Sequence, residues 1–120
     1  MAARAEIEVF GEDPLHSEDV TRGLGAALAD SQDVSVRFEY PGGETADGAK
    51  GNEAEALRAI VEYAWPAAAP LVAEAVKKVC TRHRHERVRI SVGPNHVEIT
   101  GEPTEEQTKL LLKVLDGPGR

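Results

Sequence analysis

Between Asn52 and Val79 the apolar positions Leu57, Ile60, Val61, Ala64, Ala68, Leu71, Val72, Ala75, Val76 and Val79 recur at steps of three and four. That spacing predicts one long helix carrying a continuous apolar stripe, with the rest of the chain arranged around it. Asn52 is placed to cap its first turn, and Glu55, three residues on, completes a capping box. Pro66 and Pro70 interrupt the pattern. Each lacks an amide donor and presses its ring on the preceding turn, so a kink or break is expected near Trp65, with Pro66 opening the second segment.

The flanking segments are shorter. Glu6 to Phe10 alternates with Ile7 and Val9 on one side, the pattern of a half-buried first strand. Residues 11–16, which include Pro14, read as a loop, and Ser17 as the N-cap of a first helix with Val20, Leu24, Ala27 and Leu28 as its stripe. Asp33 to Tyr40 alternates again, placing Val34, Val36, Phe38 and Tyr40 on one face of a second strand. Residues 41–51 are glycine-rich and polar, an expected exposed connector. Farther on, Glu86–Val92 and His96–Thr100 form a predicted hairpin about Gly93, Pro94 and Asn95. Val88, Ile90, Val92, Val97 and Ile99 share a face only if the loop holds an even number of residues. A Pro94-Asn95 turn meets that condition and sets Val92 opposite Val97, with Arg89 diagonal to Glu98. Thr104, Glu105, Glu106 and Gln107 make a capping box that opens a last helix, whose Leu111, Leu112, Val114 and Leu115 turn inward. Residues 117–120 are expected to fray.

This order of strand, helix, strand, helix, hairpin and helix implies an α+β fold: a two-layer sandwich of a four-stranded mixed sheet with helices mainly on one face, two crossovers joining parallel neighbours. The other face would carry Glu6, Glu8, Ser35, Arg37, Glu39, Arg87, Arg89, Ser91, Glu98 and Thr100, and so be solvated or meet a polar partner. With 120 residues and 41% apolar content, the chain suits one domain with its core in residues 6–116. Aromatics make up 4%, too few for the stacking platforms that hold single-stranded nucleic acid. The lone Cys80 excludes an internal disulfide and fits a reducing cytoplasm. No run of signal-peptide or membrane-span length stands out, so a soluble protein is expected.

Charge changes the picture in one place. The net charge of −7 argues against a general nucleic-acid binder, yet Lys77, Lys78, Arg82, Arg84, Arg87 and Arg89 face only Glu86 within thirteen positions. Such an island could hold an acidic partner or a phosphate-bearing ligand. A plainer account is that cations at a helix C-terminus complement its dipole while Arg87 and Arg89 line a solvated strand. Candidate chemistry is thin. Gly43, Gly48 and Lys50 resemble a phosphate-binding loop only superficially, because Ala49 and Gly51 stand where that loop needs Lys and Ser or Thr. Cys80, His83, His85 and His96 are donors suited to zinc, but their spacing matches no closed structural site. Cys80 near a histidine has no orienting carboxylate at a telling distance, and a buried thiol explains it. Paired acids such as Glu105-Glu106 and Glu53-Glu55 lie in first helical turns, where the dipole accounts for them. No catalytic, cofactor-binding or metal residue is assigned.

Four stretches carry a resemblance: Ala56 to Val61, Pro70 to Val76, Arg87 to Val92, and Thr104 to Leu115. Together they resemble the small effector-associated constant component family of short bacterial, mostly actinobacterial, proteins encoded beside variable effectors in NTPase-centred conflict systems. Where that pattern has a glycine-rich run of small residues, this chain has Trp65 to Pro70. The resemblance implies a non-enzymatic adaptor or signal-relay component that couples a sensor or NTPase to an effector such as a peptidase. The partner it implies is an effector or NTPase protein encoded nearby; no cofactor, nucleic acid or membrane partner is expected. Arg82, Arg84, Arg87, Arg89 and Glu98 are the candidate partner-binding residues. A homo-oligomer through the polar sheet face or a sheet edge is a further assembly that the pattern allows.

Overall fold

The structure, a computed structural model, describes residues 2–40 and 57–116. Eight elements follow in order: β1 (Ala2–Phe10), α1 (Pro14–Ala29), β2 (Val34–Glu39), β3 (Arg58–Ala64), α2 (Ala69–Arg82), β4 (Arg87–Val92), β5 (Asn95–Thr100) and α3 (Glu105–Asp116). The fold is α+β, with three helices packed on a sheet.

The sheet has five strands, not four, in the order β2-β3-β1-β4-β5, and every neighbouring pair is antiparallel where a mixed sheet was expected. The extra strand explains both differences. Residues 58–64 of the expected long helix form β3, which inserts between β1 and β2. Both crossovers exist, but each skips a strand: β1-α1-β2 passes over β3, and β3-α2-β4 passes over β1. β1 and β2 run parallel without touching, as do β3 and β4. This split β-α-β order is the one found in ferredoxin-like domains, here extended by β5 and α3.

β3 forms because Ala59, Val61 and Tyr63 alternate inward while Arg58, Ile60 and Glu62 point outward, with β-branched and aromatic side chains that suit a pleated surface. The chain breaks after Ala64, at a cis Trp65-Pro66 bond, and α2 starts at Ala69 with Pro70 in its first turn. The expected break near Trp65 is therefore real, but it separates a strand from a helix. Asn52, Glu55, residues 41–51 and the tail at 117–120 lie outside the described residues.

Smaller corrections have local causes. β1 runs from Ala2, so Ala3 and Ala5 join Ile7 and Val9 in the core and β1 becomes the central strand. α1 begins at Pro14, not after Ser17. Its N-cap is Asp13, whose carboxylate accepts the Leu15 amide at 3.1 Å, and Pro14 occupies the position where a missing donor is harmless. In the hairpin, Val92 pairs with Asn95, Ile90 with Val97, and Arg89 directly with Glu98. The turn residues are thus Gly93 and Pro94, two positions from the expected register but of the same parity, so every side chain keeps its expected face. Gly93 has φ of +59°, which the first central position of a type II′ turn requires and only glycine takes freely. The last helix starts as expected: Thr104 Oγ1 accepts the Gln107 amide and Gln107 Oε1 accepts the Thr104 amide, both at 3.0 Å.

The core lies between the sheet and the helices. Ile7, Val9, Val61, Tyr63, Val88, Ile90 and Ile99 meet Leu24 and Leu28 of α1, Val72, Val76 and Cys80 of α2, and Leu111 and Leu115 of α3. Tyr63 ties two layers together, its hydroxyl donating to the Leu115 carbonyl at 2.6 Å. Among the described residues no helix covers the second face of the sheet, and that face is where charge gathers.

Candidate functional site

The strand registers place one cross-strand row on the open face that reads Glu39, Arg58, Glu8, Arg89, Glu98, one residue from each strand and strictly alternating in sign. A second row reads Arg37, Ile60, Glu6, Ser91, His96. The strand period of two sends Arg4, Glu62 and Arg87 to the same side. Five arginines and five glutamates of the strands therefore share this face, which carries no net charge. Neighbouring charges pair: Arg58 reaches Glu6 at 3.3 Å and Glu8 at 3.6 Å, Arg37 reaches Glu39 at 3.1 Å, and Arg89 and Arg87 reach Glu98 at 3.9 and 4.0 Å. Exposed pairs of this kind contribute about 0–1 kcal/mol each, so the lattice shapes the surface more than it stabilises the fold. Arg87 also stacks over Phe10 at 4.9 Å. Among the described residues, Nε of Arg58 and of Arg89 is buried without a hydrogen-bond acceptor. Ile60 is 1% exposed although it stands among charges.

The sequence-predicted residues divide between two surfaces. Arg87, Arg89 and Glu98 come together on the open face, with Arg89 directly opposite Glu98. Arg82 lies on the helical layer, and Arg84 is exposed in the turn between α2 and β4. The basic island is thus not one patch. Its sheet arginines are neutralised by glutamates that the registers bring alongside. The candidate zinc donors also disperse: Cys80 is fully buried on the inner side of α2, His83 caps that helix, His85 is exposed, and His96 is on the open sheet face. Among the described residues no group of three His, Cys, Asp or Glu is arranged to hold a metal ion.

The helical layer carries a cleft of about 440 Å³ between α1 and α2. Val20, Leu24, Ala27, Ala75 and Val79 form its apolar lining, and Lys78, Arg82, His83, His16 and Asp19 its polar part. At its end the His16 and His83 rings meet edge to face, centroids 5.5 Å apart.

Beside that end is a residue that sequence reasoning missed. Glu86, counted only as the lone acid of the basic island, is 5% exposed and accepts a hydrogen bond from Ser17 Oγ at 2.7 Å, with His16 Nε2 at 3.8 Å. Gly11 makes room for it, since any Cβ there would overlap the carboxylate. The carboxylate thereby sits by the first turn of α1, where exposed amides favour negative charge. Ser17 donates straight to the acid with no imidazole between them, so this is a structural clasp between α1 and the start of β4 and not a nucleophile-base-acid relay. No local signal announces it; the contact spans 69 positions.

A second clasp pins the end of β2 to α1. Tyr40 Oη donates to Glu18 Oε2 at 3.0 Å, Arg22 pairs with the same oxygen at 3.1 Å, and the Arg22 guanidinium lies 5.3 Å from the Phe38 ring centroid. The hydrogen bond to Glu18, with some burial, raises the Tyr40 hydroxyl above its ordinary pKa.

Compared with known proteins, the chain matches no family model and no curated relative. Among the described residues no helix is long and apolar enough to cross a membrane.

Proposed function

We propose that the protein is a non-enzymatic adaptor or signal-relay component of a bacterial NTPase-centred conflict system, joining a sensor or NTPase to an effector through its open sheet face, in the cytoplasm. The observation that carries this reading is the neutral, alternating row from Glu39 to Glu98. A face with balanced charge exerts little long-range pull on a polyanion, but it presents a pattern that a partner with the matching alternation can read, while a mismatched surface meets like charges. The reading also agrees with what the family resemblance implies. An anion-binding domain that used Arg82, Arg84, Arg87 and Arg89 together has less support, because Arg82 and the two sheet arginines lie on different layers.

The test is a charge swap. Arg89→Glu combined with Glu98→Arg keeps an opposite-sign pair between β4 and β5, reverses the signs shown outward at those two positions, and breaks the alternation by setting a second carboxylate opposite Glu8. The swapped protein should keep the wild-type circular dichroism spectrum and lose co-purification with the effector or NTPase encoded beside it. Retained co-purification would remove the open face from the account.

A further inference from the structure

The cleft between α1 and α2 is elongated, and what lines it points to an occupant. On α1 the lining runs from His16 to Ala27, about 16 Å of helix at 1.5 Å per residue, alongside Ala75 to His83 of α2. Gly23 sits midway, and a Cβ added there would meet nothing within 4 Å. Helix propensity favours alanine at such a position, and the folded chain gives no reason for glycine. Gly25, two residues on, is the contrast, since a Cβ there would overlap Phe38. With Ala27 and Ala75, Gly23 keeps the cleft open. The second observation is charge. Lys78 and Arg82, one turn apart on α2, both line the cleft, and neither is in an ion pair among the described residues, whereas each arginine of the open sheet face is.

We propose that this cleft is the docking groove for an acidic amphipathic helix of a partner protein. Its apolar ridge would lie over Gly23 against Ala27, Ala75 and Val79, the lining positions that keep exposed surface, and carboxylates on successive turns would face Lys78 and Arg82. A rod of about three turns matches the length of the groove, and cations spaced by one turn match acids spaced i, i+4, a fit that a short aliphatic anion uses only in part. In a chain of net charge −7, these two cations outweigh Asp19, the one acid in the groove's lining, and give an acidic helix its local attraction. The proposal rests on the adaptor reading only in taking the occupant to be a protein, and it adds a second surface to the open sheet face.

The test is selection from a phage-displayed library of helical peptides against the wild-type protein alone, the enriched peptides then being assayed for binding to wild-type and to Gly23→Leu protein. Leucine is a good helix former at this exposed site, so that variant folds while its side chain fills the groove. Enriched peptides should carry an apolar ridge with acids one turn apart. They should lose binding to Gly23→Leu and bind about tenfold more weakly to Lys78→Glu and to Arg82→Glu. The Arg89→Glu/Glu98→Arg protein should bind them as wild type does, so failure of the groove and failure of the sheet face are told apart. No enrichment, peptides without acidic ridges, or peptides that still bind Gly23→Leu would overturn the proposal. So would groove resonances that shift in an NMR titration with decanoate when no peptide is selected, because the occupant would then be a small amphiphile.

Discussion

Replacing Tyr63 by Phe removes one oxygen atom and tests the element that the chain's periodicity disguised. Tyr63 is 1% exposed on β3, and its hydroxyl donates at 2.6 Å to the carbonyl of Leu115, in the last turn of α3. Carbonyls in a last helical turn have no intrahelical donor, so the tyrosine satisfies a group that would otherwise be buried and unpaired. Leaving it unpaired costs about 1–3 kcal/mol, which for a domain of this size lowers Tm by about 4–12 °C. The pH dependence gives a second readout. Burial, and then the negative charge of Asp116, pushes the Tyr63 hydroxyl from 10.0 to about 12. Between those values the unfolded chain has released this proton and the folded chain still holds it, so stability falls as pH rises through the window. The loss is at most about 3 kcal/mol for a shift of about two units. Tyr63→Phe has no such proton, so its deficit relative to wild type, measured by urea unfolding, should shrink between about pH 9 and pH 12. A difference below about 0.5 kcal/mol near neutrality, unchanged in alkali, would refute the placement of Tyr63 against α3.

Three further substitutions and one reaction follow from the structure. Gly25→Ala drives a methyl group into Phe38 and should destabilise by about 1–2 kcal/mol, while Gly23→Ala, with open space, should stabilise by up to about 1 kcal/mol; thermal melts of the two variants should move in opposite directions. Thr104→Ala removes the acceptor for the Gln107 amide and should cost about 1 kcal/mol in urea unfolding. Burial pushes the Cys80 thiol up to about 11, so iodoacetamide near pH 8 should leave the native protein unmodified by intact mass and alkylate it once it is denatured.

What could be read from the sequence was local. The capping box at Thr104 and the hairpin parity depend on residues a few positions apart, and both appear in the fold as expected. The class, helices on one face of a sheet, followed from alternation in β1, β2, β4 and β5. The long helix failed for an identifiable reason. Ile60 and Val61 are adjacent and both buried, one on each face of β3, which breaks the alternation of a half-buried strand and leaves apolar steps of three and four that imitate a helix. Ala64 and Ala68 then carried the false phase across Pro66, which together with Pro70 had argued for a break. Glu8, Glu39, Arg89 and Glu98 were expected on the polar face and lie there, but their alignment with Arg58 into one row could not be foreseen, because the order of five strands is a long-range property. Glu86 was hidden for the same reason: its partners, Ser17 and Gly11, are separated from it by most of the chain.

The central claim, that the protein acts through the alternating charges of its open sheet face, is tested most directly by carboxylate footprinting. Glu39 and Glu98 would be labelled with a carbodiimide and glycine ethyl ester, with and without the proposed effector or NTPase partner, and read by mass spectrometry. Labelling should fall at both when that protein is added and stay constant at Glu105 and Glu106, which lie in the first turn of α3. Unchanged labelling at Glu39 and Glu98 in a mixture where the two proteins demonstrably associate would contradict the account.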